Sequence, residues 1–364
     1  MVLSYQSLKK LIGGAVPMIR SDVSLDCFLQ PASLDLPVSD ICYRVCVSTA
    51  PTESEKITDL LRRFKKYEFE LKPEGALLER GMTYILPLAV SLDLSKEFRA
   101  SFSSKSTTGR NDLITSHLSN YNPELNTTVF GYEGSLYIEV TPLSWDVIIY
   151  PHRPLTQMRL HSVDDNPLTC SELAVLHSQY GIVRNENGEP TKVVIGDGAL
   201  YLHLNLTGDR VGHESIVNPE AVVHIGQKEV DTYSELFRPI RTTRHDDIIL
   251  HPDSFYLLPT KERIFIPPTV CAVMEQYSTS LGEFSSHEAG FFDNNFGGQG
   301  GTQGVLEIHV NKRKAIRVWD GRPICRMVFY KTDEIPEVLY DSGTNHYIGS
   351  GPSLQKNIIG YRQW

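Results

Sequence analysis

Two short segments of the chain each carry a glutamate in an apolar, strand-like run. Glu139 lies in Gly131–Val140 and Glu307 lies in Gly301–Val310, and both runs begin with a glycine-containing approach loop. Desolvation raises the pKa of a carboxyl group, and such a group can accept a proton and return it. The alternative is that strand alternation turns each side chain to solvent. The recurrence of the glutamate at matching places favours the chemical interpretation.

A polar turn, Lys105–Arg110, is the second feature that could do chemistry. It reads Lys-Ser-Thr-Thr-Gly-Arg. Hydroxyl groups, a glycine backbone and flanking cations are the donors that suit a phosphate group. The segment lacks the Gly-x-x-x-x-Gly-Lys-Ser/Thr spacing of a P-loop. It is therefore either a phosphate-binding turn or an ordinary polar surface turn.

Other catalytic motifs are missing or incomplete in the sequence. Zinc deaminases need His-x-Glu and Pro-Cys-x-x-Cys, and the chain has no Cys-x-x-Cys. His287-Glu288 has no second histidine four residues on, which argues against a zinc site. The glycine-rich run at 297–301 precedes a strand-like segment, so it predicts a hairpin loop rather than a dinucleotide-binding loop. We therefore predict no metal held by the protein alone.

The elements that must position these residues occur twice. Each half contains a Ser/Thr-rich turn, a glutamate strand and a following strand that begins Arg153-Pro154 or Arg322-Pro323, in the same order. The period is too long for a solenoid or a propeller. We predict a duplicated domain, with copies at 1–165 and 166–364 that join near 161–168.

Short apolar or alternating runs between Gly, Pro, Asn and Asp dominate both copies, which predicts mainly β domains of the sandwich or barrel type. Helices are a minority, predicted at Glu53–Leu61 behind a Thr52 and Glu55 capping box, at Ser7–Ile12 and at 220–222. The clearest predicted strands are Tyr43–Val47, Met82–Leu86, Ser135–Val140, Val147–Tyr150, Tyr201–Leu206, Val305–Val310 and Met327–Tyr330.

Composition limits the classes of function. The 364 residues carry a net charge of −9, which argues against a nucleic-acid surface but allows a small anionic ligand. No run of about 18 apolar residues predicts a membrane span, and Met1–Lys10 lacks the apolar stretch of a secretory signal, so we expect a cytoplasmic protein. Six cysteines are too few for a disulfide scaffold of this size, and most are predicted to be buried thiols.

The motif set resembles the dCTP deaminase family, in particular its long bacterial form with two fused domains. The resemblance spans nearly the whole chain. It is carried by Gln30–Leu36, by the turn at 105–110, and by Gly131-Tyr132-x-Gly134 with Ile138-Glu139. It implies that each copy is a dUTPase-like β-clip, a distorted jelly-roll barrel.

The resemblance assigns roles to residues of the first copy. The family's basic-Ser-Ser-x-x-Arg turn falls on 105–110, where Ser106 and Arg110 match and the basic residue and second serine are conservatively replaced. It implies that Ser106 holds the attacking water or the base. The implied triphosphate ligands are Lys105, Thr107 and Arg110. The family's catalytic glutamate falls on Glu139, and a glutamine that contacts the base or sugar falls on Gln157.

The second copy departs from this pattern in a complementary way. Gly282 stands where the turn's arginine should be, and Arg326 stands where Gln157 lies in the first copy. A ligand-binding aspartate of the family falls on Asp293, whereas the first copy has Val129 there. These losses suggest sites shared between the two kinds of domain.

Two more substrate contacts are expected from the second copy. Glu307 is the counterpart of the first copy's glutamate, and Tyr347 matches a tyrosine that closes over the nucleotide in the family. Because family members build each site from adjoining subunits, we also expect a homotrimer or a multiple of one.

The activity implied by the resemblance is hydrolytic deamination of dCTP to dUTP and ammonia, without zinc. Mg²⁺ would arrive bound through the substrate triphosphate, and dUTP would be a product or a feedback ligand. Two alternatives stay open: a dUTPase-like or bifunctional pyrophosphatase, and a non-catalytic nucleotide-binding protein.

Overall fold

Strands dominate the computed structural model, which describes residues 1–243, 245–276, 285–286, 290–298, 300–310, 314–340, 354–355 and 357–360. The strands of the first half are β1 (Ile19–Ser21), β2 (Leu34–Pro37), β3 (Ile41–Val45), β4 (Lys65–Glu70), β5 (Ala76–Leu78), β6 (Tyr84–Asp93), β7 (Phe98–Ser104), β8 (Leu113–Ser119), β9 (Glu133–Pro142), β10 (Asp146–Ile149) and β11 (Pro154–Ser162). The mainly β prediction is confirmed, and each strand named from the sequence overlaps an observed one.

The second half repeats this strand-rich pattern. Its strands are β12 (Val183–Arg184), β13 (Ile195–Gly196), β14 (Ala199–His203), β15 (Gly212–Ser215), β16 (Val222–His224), β17 (Asp231–Thr232), β18 (Phe237–Ile240), β19 (Asp247–Leu250), β20 (Phe255–Ile264), β21 (Val270–Gln276), β22 (Ser285–Ser286), β23 (Phe291–Phe292), β24 (Thr302–His309), β25 (Ile316–Trp319), β26 (Pro323–Lys331) and β27 (Ile358–Ile359).

The helices are few and short. They are α1 (Tyr5–Gly13), α2 (Ile57–Phe64), α3 (Ser106–Gly109), α4 (Cys170–Tyr180) and α5 (Tyr233–Leu236), with a 3₁₀ turn at Asp26–Phe28. The helix predicted at Ser7–Ile12 is confirmed by α1. The helix predicted at 220–222 is wrong, because β16 starts at Val222 and pairs in parallel with β10.

Neither the N-terminus of α2 nor that of α4 matches a helix start predicted from the capping residues. Helix α2 begins four residues later than predicted, because the Asn120 side chain accepts the Ile57 N–H at 2.9 Å and thereby caps it. Thr52 and Glu55 form a separate turn before it. The unpredicted α4 has a genuine capping box, in which Thr169 and Glu172 accept each other's backbone N–H.

The sheet topology repeats between the halves. The large sheet of the first half has the order β4-β3-β6-β9-β8, with β1 added beside β6. That of the second half has the order β18-β15-β20-β24-β22, with β12 added beside β20. Glu139 on β9 pairs with Ile85 of β6, and Glu307 on β24 pairs with Leu257 of β20. The two glutamates therefore occupy equivalent places.

Apolar packing holds the copies together. One core fills the second half, but the core of the first half also takes in Phe237, Phe255 and Val305 from the second. Buried Trp145 packs edge-on against Phe237 with ring centroids 5.1 Å apart, and its indole N–H donates to the carbonyl of Ile216. Burial of such large rings fixes how the polar turn of one copy meets the strands of the other.

The cysteines are divided between core and surface. Cys42, Cys271 and Cys325 lie on strands and are buried. The other three, Cys27, Cys46 and Cys170, lie at turns or helix starts and are exposed, so the prediction that most are buried is wrong.

Candidate functional site

A cavity of about 440 Å³ lies between the two copies. The first copy lines it with the polar turn, the start of β11 and the segment before β3: Cys27, Phe28, Gln30, Asp35, Lys105, Ser106, Thr107, Arg110, Arg153, Pro154 and Gln157. The second copy supplies mainly aromatic and backbone groups: Gly290, Phe291, Phe292, Asp293, Phe296, Thr302, Gln303, Gly304, Val305 and Tyr340. The cationic groups therefore come from the first copy, and most of the apolar wall comes from the second.

The polar turn is held rigidly at this wall. Its helical turn, α3, closes with Gly109 N–H donating to the carbonyl of Lys105 at 3.0 Å. Thr108 is fully buried, and its hydroxyl donates to the carbonyl of Leu155 at 2.7 Å. Thr108 thus anchors the turn, while the four other polar side chains of the turn line the cavity.

An ion pair and an amide stand side by side on the first copy's wall. The Lys105 ammonium pairs with the Asp35 carboxylate, whose Oδ1 atom is buried without a hydrogen-bond partner in the described part of the chain. Asp35 on β2 lies opposite Gln157 on β11, and the Gln157 amide oxygen lies 3.5 Å from the Ser33 hydroxyl. The carboxylate holds the cation in place and offers oxygen ligands of the kind that Mg²⁺ prefers.

Glu307 reaches the polar turn from the opposite copy. The Ser106 hydroxyl donates to its Oε1 atom at 3.3 Å, and Arg110 Nε lies 3.7 Å from the same oxygen. The carboxyl group is 2 % exposed, and its Oε2 atom is buried without a hydrogen-bond partner among the described residues. A buried carboxyl therefore contacts two residues that line the cavity.

The surroundings of Glu307 shift its proton affinity. Burial raises the pKa of Glu307 to about 8, because the charged form loses its hydration, and the negative charge of Asp112 adds to the rise. The positive charge of Arg110 and the hydrogen bond from Ser106 oppose it. Such a group exchanges protons readily near neutral pH, as a general acid–base catalyst must.

Asp293 joins the two copies at the cavity wall. Its Oδ1 atom accepts the Ala32 N–H at 2.9 Å, and the side chain is almost fully buried. Burial raises the pKa of Asp293 to about 7, with a further rise from Asp35, while Ala32, Lys105 and Arg159 act in the opposite direction. The structure thus places the second copy's aspartate and the first copy's polar turn around one cavity.

Neither Glu307 nor Glu139 lines the cavity itself, but Glu139, unlike Glu307, also makes no polar contact with the described residues that do. The Ser48 hydroxyl donates to its Oε1 atom at 2.5 Å, and Thr49 N–H donates to Oε2 at 3.2 Å. Burial raises the pKa of Glu139, and these two hydrogen bonds oppose the rise. Within one chain, Glu139 is therefore satisfied by the loop that follows β3, and the glutamate that meets Ser106 is Glu307.

The remaining predicted residues are less informative. Arg326, at the place of Gln157, forms an ion pair with Glu275 at 2.7 Å and does not line the cavity. Val129, at the place of Asp293, is half exposed. Tyr347, the second copy's turn at 278–282 and His287-Glu288 lie outside the described residues.

Sequence reasoning gave no role to several groups at the cavity. Asp35 was part of the Gln30–Leu36 motif, and Arg153 opens the repeated Arg-Pro strand, so both had a signal. Phe291 lies two residues before Asp293 in the segment that carries the aspartate prediction, whereas Phe28 and Tyr340 had no signal, since isolated aromatic residues in loops are common in β domains. The pair formed by Asp112 and His309, which lies beside Glu307, also had none.

Two general features bear on the class of protein. No helix in the described ranges is long and apolar enough to cross a membrane. Within the same ranges, no cluster of three or more His, Cys, Asp or Glu side chains has the arrangement of a metal site.

Two family models match the chain, one after the other. The model for the N-terminal domain of 2′-deoxycytidine 5′-triphosphate deaminase matches residues 1–164. The model for the C-terminal domain of the same enzyme matches residues 169–358. Together they span most of the chain.

Individual proteins give the same indication. The chain is 28% identical over 134 residues to a "dCTP deaminase, dUMP-forming" from Kocuria rhizophila, covering 35% of this chain and 68% of that protein. A protein of the same name from Aquifex aeolicus is 36% identical over 104 residues, covering 28% and 55%. The crystal structure of 2′-deoxycytidine 5′-triphosphate deaminase from Agrobacterium tumefaciens superposes with a TM-score of 0.83 at 31% identity, covering 92% of this chain and 99% of that one.

Proposed function

The chain belongs to the 2′-deoxycytidine 5′-triphosphate deaminase family, and from this premise we propose that it hydrolyses dCTP to a deoxyuridine nucleotide and ammonia in the cavity between its copies. The observation that carries the proposal is the buried carboxyl of Glu307 beside Ser106 and Arg110 of the other copy.

Glu307 moves the protons. Water attacks C4 of the cytosine, and its proton passes to the carboxylate. The same group delivers that proton to N3, then takes the remaining water proton from the C4 hydroxyl and delivers it to the exocyclic amine, so that the C4–N bond breaks and ammonia leaves. A carboxyl whose pKa lies near 8 suits both directions of transfer. The protons, carbon and nitrogen balance with one water consumed for each ammonia released.

Ser106 and Arg110 orient the reaction. The Ser106 hydroxyl lies 3.3 Å from the Glu307 carboxylate, and it fixes the position of that group relative to the attacking water. Arg110 balances the carboxylate charge, and its guanidinium group, which lines the cavity, binds the phosphates. Lys105 and Thr107 supply further phosphate donors, and Gln157 supplies an amide for the base or sugar.

Mg²⁺ would enter with the triphosphate. The Asp35 carboxylate, and Asp293 when ionised, supply hard oxygens on the cavity wall that fit this ion. The ion neutralises phosphate charge when bound, and every proton transfer proposed here is carried by Glu307. We propose zinc-independent chemistry because the sequence lacks the His-x-Glu and Cys-x-x-Cys motifs of zinc deaminases.

Glu307 replaces Glu139 in the catalytic role expected from the sequence. The reason is contact: the family's serine and arginine fall on Ser106 and Arg110, and both contact Glu307. Asp293 and the family's C-terminal tyrosine, at Tyr347, complete the proposed substrate contacts from the second copy.

A second candidate concerns the product. We propose dUTP as the product of the deamination step. The curated relatives are named dUMP-forming, and two carboxylates, Asp35 and Asp293, line the same cavity, so hydrolysis onward to dUMP is the competing candidate. A non-catalytic nucleotide-binding protein would give neither product.

The deciding experiment incubates the full chain with dCTP and Mg²⁺. Ammonia, pyrophosphate, dUTP and dUMP are quantified over time. Deamination alone gives dUTP and ammonia in equal amounts, whereas the bifunctional reaction gives dUMP, pyrophosphate and ammonia in equal amounts. Absence of ammonia release would refute the proposed function.

We also propose a homotrimer, or a multiple of one, with closed rotational symmetry. Each chain joins the turn of its first copy to the glutamate strand of its second, which leaves the first copy's glutamate strand to meet another chain. Sedimentation of the full chain tests this, and an active monomer would contradict it.

A further inference from the structure

A buried hydrogen-bonded pair, His309 and Asp112, crosses between the copies immediately beside the proposed catalytic glutamate. His309 Nδ1 lies 2.9 Å from Asp112 Oδ2 and 3.2 Å from Oδ1. Asp112 is fully buried, and His309 nearly so. The Ser144 hydroxyl donates to Asp112 Oδ2 at 2.5 Å, so two side chains hold this oxygen.

Both members of this pair are tied to the reacting groups by short covalent paths. His309 follows Glu307 by two residues on β24, and residues i and i+2 of a strand face the same side. Asp112 follows Arg110 by two residues at the end of the polar turn, where its N–H donates to the carbonyl of Gly109. The pair therefore connects the glutamate's strand to the serine's turn.

The backbone conformation of Asp112, at the end of the polar turn, is closely constrained. Its φ of 52° lies in the left-handed region, which aspartate and asparagine tolerate better than most residues. Its carbonyl accepts the Leu143 N–H at 3.0 Å. Because the backbone of Asp112 is fixed in this way, a shift of its side chain also shifts the polar turn.

We propose that Asp112 and His309 form a positioning pair, which sets the separation of Glu307 from Ser106 and Arg110 across the interface of the copies. The inference rests on the proposed function of the cavity. It assigns the pair no contact with the substrate.

The pair also has an electrostatic effect on Glu307. Among the described residues, the charged or titratable groups that face Glu307 are Arg110 and Asp112 from the turn and His309 from its own strand. The Asp112 charge raises the pKa of Glu307. Removing that charge lowers the pKa, so the ionised form of Glu307 becomes available at lower pH.

The test compares His309→Leu, His309→Asn and Asp112→Asn with the wild type, using the full chain, dCTP and Mg²⁺. His309→Asn keeps an N–H donor near the Nδ1 position, whereas His309→Leu removes it. His203→Leu is the matched control. His203 Nδ1 lies 2.7 Å from the Glu262 carboxylate, and neither residue lines the cavity.

We expect His309→Leu to lower kcat about 10- to 100-fold with little change in KM, because a small misplacement of reacting groups costs about that much. His309→Asn should recover most of the loss. Asp112→Asn should move the acid limb of the kcat/KM profile to lower pH, which a purely structural defect does not do. The double variant Asp112→Asn, His309→Leu should cost little more than the worse single one.

The inference is overturned if His309→Leu keeps the wild-type kcat and pH profile. It is also overturned if His309→Leu loses activity only in proportion to folded protein, as His203→Leu would, or if His309→Asn is no better than His309→Leu. If the wild type releases no ammonia, the proposed function fails and this inference fails with it. If the wild type is active and the variants keep its kcat and pH profile, only the positioning role of Asp112 and His309 is refuted.

Discussion

Glu307 and Glu139 occupy equivalent places on equivalent strands, yet the two copies surround them differently. Each accepts a hydrogen bond from a serine hydroxyl. For Glu307 that serine is Ser106 of the other copy, accompanied by Arg110 and an adjoining cavity. For Glu139 it is Ser48 of the same copy, and no cation of the described residues lies within ion-pair distance.

The difference shows what a duplication can do to a site built between neighbours. A strand that carries a carboxyl is useful only where another copy presents the matching donors. Inside this chain the first copy's turn meets the second copy's strand, so that Ser106 and Arg110 contact Glu307. The first copy's strand is capped by its own loop instead.

Replacing each glutamate with glutamine should give the largest difference in activity between the two copies. Glu307→Gln keeps the shape of the side chain but cannot exchange protons, so kcat for ammonia release should fall about 10²- to 10⁴-fold. Glu139→Gln is the matched control and should keep wild-type kcat within about threefold, since it touches no cavity residue. Steady-state kinetics on dCTP decide, and the reverse ranking would return the catalytic role to Glu139.

The second comparison is between Arg110, on the polar turn of the first copy, and Arg326, on β26 of the second copy. Arg110→Lys keeps a charge but loses the bidentate fork, so the KM for dCTP should rise about tenfold, while that for dCMP should change much less. Arg326→Lys, in the second copy, alters only an ion pair with Glu275 and should leave both values near those of the wild type. Equal losses toward dCTP and dCMP in Arg110→Lys would point to a structural role.

Stability against pH tests the burial of Glu307. Its folded-state pKa of about 8 lies above the usual 4.5, so between these values the folded state holds a proton that the unfolded state has lost. The contribution of Glu307 to stability is therefore present at low pH and declines as pH rises from about 4.5 to 8. Glu307→Gln cannot ionise and escapes this decline.

The measurement is the free energy of unfolding by urea at pH 5 and pH 8.5. Relative to the wild type, Glu307→Gln should gain on the order of 2–4 kcal/mol between the two values, since each pKa unit corresponds to about 1.4 kcal/mol. Parallel pH dependence in the two proteins would mean that the carboxyl titrates normally in the folded state.

The sequence predicted the repeat, the strands and the groups on the polar turn, because those depend on local spacing and turn residues. It could not predict which glutamate meets the turn. Glu139 lies in the same copy as Ser106, whereas Glu307 lies 201 residues away from it, and that contact depends on how the two apolar cores pack. The complementary loss of the arginine at 282 and the aspartate at 129 was the one sequence signal of a shared site.

The smallest expected effect concerns the loop that caps Glu139. Ser48→Ala removes the 2.5 Å hydrogen bond to a partly desolvated carboxyl and should cost about 1–2 kcal/mol of stability with unchanged kcat. In the Glu139→Gln background the same change should cost less, because the amide carries no charge for the hydroxyl to stabilise. Thermal melts and dCTP kinetics on the four proteins of this cycle measure both quantities. A tenfold fall in kcat for Ser48→Ala would show that the loop and Glu139 serve a second reacting site, and the two copies would then differ in their partners rather than in their use.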